Sequence, residues 1–178
     1  SYDQNYYLDE REFMQRLIWV AVFLITFSLP AWAEESPGSM YCSDHHGTHV
    51  KMFSDSSARK ISEANIATGG YSTIRINLGQ LSDLSANARS FAVGFSCARL
   101  TLGHLVKGAE NIYEHFDQVE NADCWAAGKL FYEGGVDKKG LTALEEEINH
   151  LNREQWSHLP GPVRVISLND TCKLTPLN

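Results

Sequence analysis

Hydrophobic residues are spaced along the chain in three ways, and each predicts a different kind of segment. Residues 17–29 (LIWVAVFLITFSL) form an unbroken apolar run. Residues 71–78 alternate instead, with Ile74, Ile76 and Leu78 on one face and Thr73, Arg75 and Asn77 on the other, the period-2 pattern of a half-buried strand. Residues 86–106 carry Phe91, Phe95, Ala98, Leu102 and Leu105 at three- and four-residue spacing, which predicts a helix with one core-facing stripe, capped by Ser85 and ended by Gly108. A second helix is predicted over residues 116–133, with Val119, Ala122, Ala126, Leu130 and Phe131 apolar and Gly134-Gly135 as terminator. A third, more acidic helix is predicted over 142–150. Weaker signals predict a strand at 49–53, a serine-capped helix at 57–67, a break at Thr68-Gly69-Gly70 and a strand-like run at 163–168.

The apolar run follows Met14-Gln15-Arg16 and precedes Pro30-Ala31-Trp32-Ala33. At about 1.5 Å per residue it covers roughly 20 Å as a helix, short of a hydrocarbon core of about 30 Å. Residues 14–33 therefore read as a secretory signal peptide cleaved near Ala33, with membrane contact expected only through an uncleaved segment. Residues 1–13 are acidic where a signal sequence wants positive charge, and read as an upstream extension outside the native fold. Residues 34–178 remain as one domain, expected to be periplasmic or secreted.

Composition narrows the partners. With 178 residues, 43% hydrophobic and 21% charged, the chain is ordinary for one globular domain able to bury a core without help from a metal. A formal charge of -7 argues against nucleic acid as a partner. Cys42, Cys97, Cys124 and Cys172 all follow the signal segment, and an even count in an oxidising compartment favours disulfides, with three pairings open. No C-x-x-C is present, which argues against a zinc ribbon or a thioredoxin-type redox site.

Three segments together carry a resemblance: FAVGFSCARLTLGH at 91–104, ENADCWA at 120–126 and HLPGPVR at 158–164. They resemble small exported bacterial proteins related to zinc-dependent (gluzincin-like) metallopeptidases, in which one helix bears H-E-C-A-H-x-x-L-G-H and the next E-x-x-A-D-C-W-A. The resemblance implies an α+β, zincin-like domain: a short, mostly antiparallel sheet packed on a helix pair plus a third helix, stabilised by disulfides. In such a site two histidines four apart on a helix hold zinc, a glutamate beside the first deprotonates bound water, and the neighbouring helix supplies a third ligand.

Matched on the shared cysteine and L-G-H, this chain has Phe95 at the first histidine, Ser96 at the glutamate, Arg99 at the second histidine and Val119 at the third ligand. Phe and Val offer no lone pair, and Arg stays protonated and repels a dication. The motif is eroded, so no catalytic residue, metal or other cofactor is expected. The resemblance further implies pairing of Cys97 with Cys124 across the helix pair, leaving Cys42 with Cys172. A buried Arg99 would need a carboxylate, with Asp123 or Glu120 as candidates.

Weak metal candidates remain in His104, Glu120 and Asp123, and in the H-H-x-x-H cluster of His45, His46 and His49. A solvated polar loop is the simpler reading of that cluster, and a hydrogen-bonded packing residue that of His104. The acidic run Glu145-Glu146-Glu147 reads as a solvated helix face. The expected function is that of an exported, catalytically inactive metallopeptidase-like protein that binds an unidentified protein or peptide, along the edge of the 71–78 strand. The alternatives are a residual zinc-dependent hydrolase using non-standard ligands and a structural envelope protein.

Overall fold

The computed structural model describes residues 40–175. The predicted extension, signal segment and its cleavage site lie outside the described residues. The fold is α+β. Strands β1 (Lys51–Ser54), β2 (Ser62–Ile66) and β3 (Ser72–Ile76) are followed by helices α1 (Ala86–Thr101), α2 (His104–Lys107), α3 (Ile112–Tyr132), α4 (Lys138–Asn149), α5 (Arg153–Ser157) and α6 (Leu168–Thr171).

The sheet has the order β1-β3-β2. Strand β3 runs parallel to β1 and antiparallel to β2, so the sheet is mixed, with one pairing of each kind. Two consequences correct the sequence reading. Residues 57–67 do not form a helix: Asp55 accepts hydrogen bonds from both the Ser57 amide and its hydroxyl. The expected helix cap is thereby held in a turn. The chain then enters β2, whose Ser62 faces Ile76 and whose Ile66 faces Ser72. Gly69 and Gly70 make the β2–β3 hairpin turn, with φ of 101° and 86° that few other residues adopt. Because β3 is the central strand, it has no free edge, and a peptide cannot add to the 71–78 strand as the sequence suggested.

Helix α1 begins on Ser85, whose hydroxyl accepts from the Ala88 amide. It ends earlier than predicted: the chain turns at Gly103 (φ 72°) and resumes in α2. Leu102 consequently leaves the core stripe and is exposed. Helix α3 starts four residues earlier than predicted, on Asn111, and α4 starts four earlier, on Asp137. The two long helices pack closely, since a Cβ placed on Gly94 would meet Ala126 Cβ at 3.1 Å.

Helix α1 separates two apolar clusters. Phe91, Phe95 and Ala98 face a helical core with Ala122, Ala126, Leu144 and Trp156. Val93, Cys97 and Leu100 face the sheet with Val50 and Ile74. This split decides the disulfides, which are Cys42–Cys97 and Cys124–Cys172, contrary to the expected pairing. With about 100° of helix per residue, Cys97 lies a quarter-turn from Ala98 and points to the sheet. Cys124 lies about 200° round from Ala122 and points away from α1, toward the segment bearing Cys172.

Residues 163–168 do not form a strand either. No strand neighbours them among the described residues; Asn149 at the end of α4 takes that role, donating to the Ile166 carbonyl and accepting from its amide, both at 2.8 Å. The alternation survives without a sheet, with Ile166 buried and Val163 and Val165 exposed. The acidic run of α4 is only partly solvated. Glu147 accepts from the Ser85 amide and hydroxyl, and Glu145 from the Asn169 amide.

Candidate functional site

A cavity of about 180 Å³ opens between α1, α2, α3 and the 158–164 loop. Helix α1 contributes Phe95 and Arg99, one turn apart, and α2 contributes His104. Helix α3 contributes His115, Gln118 and Val119, and the loop closes the cavity with Gly161 and Pro162. Three of the four eroded motif positions thus share one cavity, together with His104. The fourth does not: Ser96 turns toward the sheet, its hydroxyl 2.8 Å from that of Ser62, and so ties α1 to β2.

Phe95 and Val119 are buried in the helical core, 1% and 8% exposed. Arg99 is half-buried, and no carboxylate pairs with it among the described residues. The expected Arg99 partnership with Asp123 or Glu120 is therefore corrected. Asp123 is taken by Arg164, whose Nε and Nη2 donate to its two carboxylate oxygens at 2.6 and 2.5 Å. Glu120 is exposed.

Arg164 is the most constrained cation of the domain. Its Nη1 donates to the Pro162 carbonyl at 2.8 Å. Its Cζ lies 4.6 Å from the Phe95 ring centroid and 5.5 Å from that of Trp156, within cation–π range. Burial pushes the Asp123 carboxyl above its ordinary value, against the opposing pull of Arg164. Sequence reasoning gave Arg164 no role. It stood in the quoted HLPGPVR segment, and a cation after Pro-Gly-Pro amid apolar residues was the available signal.

Gly161 lets the loop reach this arrangement. Its φ is +81°, and an added Cβ would lie 2.7 Å from Phe95 Cζ. Gly161→Ala combines left-handed backbone strain with a clash into a packed ring, so a loss of about 2 kcal/mol or more is expected. Urea unfolding checks this; a variant as stable as the parent would mean the loop is not held against Phe95.

The imidazole of His104 has its Nδ1 buried without a hydrogen-bond partner. Burial depresses its proton affinity, and the neighbouring Arg99 and Lys107 charges depress it further. Burial also lowers that of Arg99, although a guanidinium keeps its charge throughout the useful pH range. His115 and Gln118, which the sequence reading did not single out, complete a lining that contains donors and apolar walls but no carboxylate.

The histidine loop does not line the cavity, although His45 packs against Gly103 beside His104. Ser43 and His49 form an isolated bridge, and Asp44 accepts from the His46 and Thr48 amides. His45 and His46 stack with ring centroids 3.8 Å apart, whereas His49 packs on Tyr41 at 5.4 Å. Among the described residues no three His, Cys, Asp or Glu side chains are grouped as a metal ligand set would be.

By fold and chemistry this is a disulfide-cross-linked α+β domain with a cationic, partly apolar cavity at its helix pair. Two disulfides belong to an oxidising compartment. No helix of the described residues is long and apolar enough to cross a membrane. No family model, curated protein or solved structure matches the chain.

Proposed function

We propose that this protein is an exported, catalytically inactive relative of zinc metallopeptidases that binds a protein or peptide segment at its helix-pair cavity. The observation that carries the reading is the convergence of Phe95, Arg99 and Val119, the positions matched to three zinc ligands, on one cavity. Their chemistry is that of a closed metal site. A buried ligand left without metal costs about 1–3 kcal/mol, whereas fully buried Phe or Val contributes about 1.5–3 kcal/mol. Apolar replacement, as at Phe95 and Val119, is therefore a stable way to retire two of the three positions, and the third, Arg99, is left to meet a ligand.

Elemental analysis and a fluorogenic peptide assay test this. The protein is expected to hold no stoichiometric zinc and to cleave no peptide when zinc is added. The triple variant Phe95→His, Arg99→His, Val119→Glu is expected to take up one zinc per chain. Zinc-dependent cleavage by the parent, or a folded triple variant that ignores zinc, would overturn the reading.

A further inference from the structure

We propose that the helix-pair cavity binds a carboxylate carried on an apolar stem, with Arg99 as the principal ligand and His104, His115 and Gln118 as flanking donors. The proposal rests on the peptide-binding reading above and specifies which part of a peptide the cavity takes.

Four arginines are half-buried, and their partners differ. Arg89 donates to the Ser82 and Leu84 carbonyls. Arg164 is saturated by Asp123, the Pro162 carbonyl and two aromatic rings. Arg75 is paired with Asp55 and Glu63. Arg99 faces the cavity with no paired carboxylate among the described residues. A partly desolvated cation in that state is costly, and an incoming anion would offset the cost. The carboxylate of the first turn of α3 does not serve: Glu114 is committed to the Lys107 ammonium and the Glu110 amide. His104 adds a buried nitrogen with no partner.

The rest of the lining selects the kind of anion. A guanidinium presents two parallel N–H donors that match a planar carboxylate. Phe95, Val119 and Pro162 provide an apolar wall beside it, which suits a short hydrocarbon stem, a contact that inorganic phosphate cannot make. About 180 Å³ is too small for a drug-sized ligand, whose sites run from about 300 Å³ upward. It is room for one residue: a C-terminal residue with its free carboxylate, or an acidic side chain.

The test titrates the protein with hexanoate, hexanamide and inorganic phosphate while following the imidazole NMR signals of His104 and His115. Hexanoate is expected to shift both signals saturably, with hexanamide and phosphate at least tenfold weaker. Arg99→Met is expected to weaken hexanoate at least tenfold and Arg99→Lys less, because the lysine keeps the charge but loses the fork. Gln118 Nε2 also donates to the Gly108 carbonyl, so Gln118→Leu, expected to weaken hexanoate severalfold, is read beside its urea-unfolding midpoint, and the proposal stays testable should an Arg99 variant fold poorly. Equal binding of the amide, preferential binding of phosphate, or hexanoate binding indifferent to both Arg99→Met and Gln118→Leu would overturn the assignment.

Peptides then distinguish the sources. A leucine-terminated heptapeptide is compared as free acid, as amide, and as amide with an internal glutamate. Preference for the free acid assigns the chain terminus, and preference for the glutamate peptide assigns the side chain. Hexanoate binding with no peptide binding would keep the carboxylate site and sink the peptide-binding function. Peptide binding indifferent to every carboxylate, with hexanoate inert, would do the reverse.

Discussion

Asp123→Ala is expected to destabilise the domain by about 3–5 kcal/mol, because it leaves the Arg164 guanidinium buried without its counter-charge. Both side chains are largely hidden, at 9% and 13% exposed, so water cannot take over the lost contact. The ion pair itself is a weaker source of stability than this loss suggests, since burying both charges is expensive and the upward displacement of the Asp123 proton affinity expresses that expense. Replacing both partners, Asp123→Leu with Arg164→Met, is therefore expected to recover most of the loss. The methionine still packs between Phe95 and Trp156, where Arg164 now lies. Urea unfolding of the two singles and the double gives the coupling directly. Additive losses would mean that the pair does not act as a unit, and a single-variant loss under about 1 kcal/mol would mean that the carboxylate is not buried against the guanidinium.

Removing the Cys42–Cys97 bridge by a double Cys→Ser change should cost about 4 kcal/mol in the chain-entropy account, given a sequence separation of 55. The bridge also fastens the segment before β1 to α1, where the Thr101 hydroxyl donates to the Ser43 carbonyl at 2.6 Å. Its loss is expected to lower Tm by roughly 10 °C or more and to expose the 42–50 segment to protease before the helical core opens. Non-reducing peptide mapping of the parent is expected to link Cys42 to Cys97 and Cys124 to Cys172. A Cys97–Cys124 peptide would contradict the placement of these cysteines on opposite sides of the helix pair.

That the pairing was misjudged from sequence is instructive, because the information was present. The stripe Phe91, Phe95, Ala98 marks the face of α1 that meets α3, and Cys97 is not on it. Likewise Ala122 and Ala126 mark the facing side of α3, and Cys124 is off that line. Two cysteines outside the shared interface cannot bridge across it. The phase of each cysteine around its helix, and not merely which helix carries it, decides the pairing.

The candidate site shows a similar division. The resemblance implied that Phe95, Arg99 and Val119 share the helix pair, but on an unbroken helix His104 would lie about 180° round from Phe95; the turn at Gly103 is what brings it to the same cavity. Arg164 was missed because its partner, Asp123, lies 41 residues away and its ring contacts come from two further elements. His115 was missed because the start of α3 was placed after it, and Asn111, whose side chain accepts from the Glu114 amide, is the cap that would have moved the boundary.

The sequence by itself determined that three long helices and the β3 strand form, and which of their stripe residues are buried apart from the ends, where Leu102 and Leu78 are exposed. Those features depend on residues within a few positions of one another, and an apolar period of 3.6 or 2 is legible wherever it is sustained. Tertiary structure alone decided that residues 62–66 join a sheet, that 163–167 run beside Asn149 with no strand partner among the described residues, which cysteines meet, and which carboxylate neutralises Arg164. Each of these depends on what a distant segment presents, and a short stretch with little local preference takes the backbone partners and charges that the packed neighbours leave open.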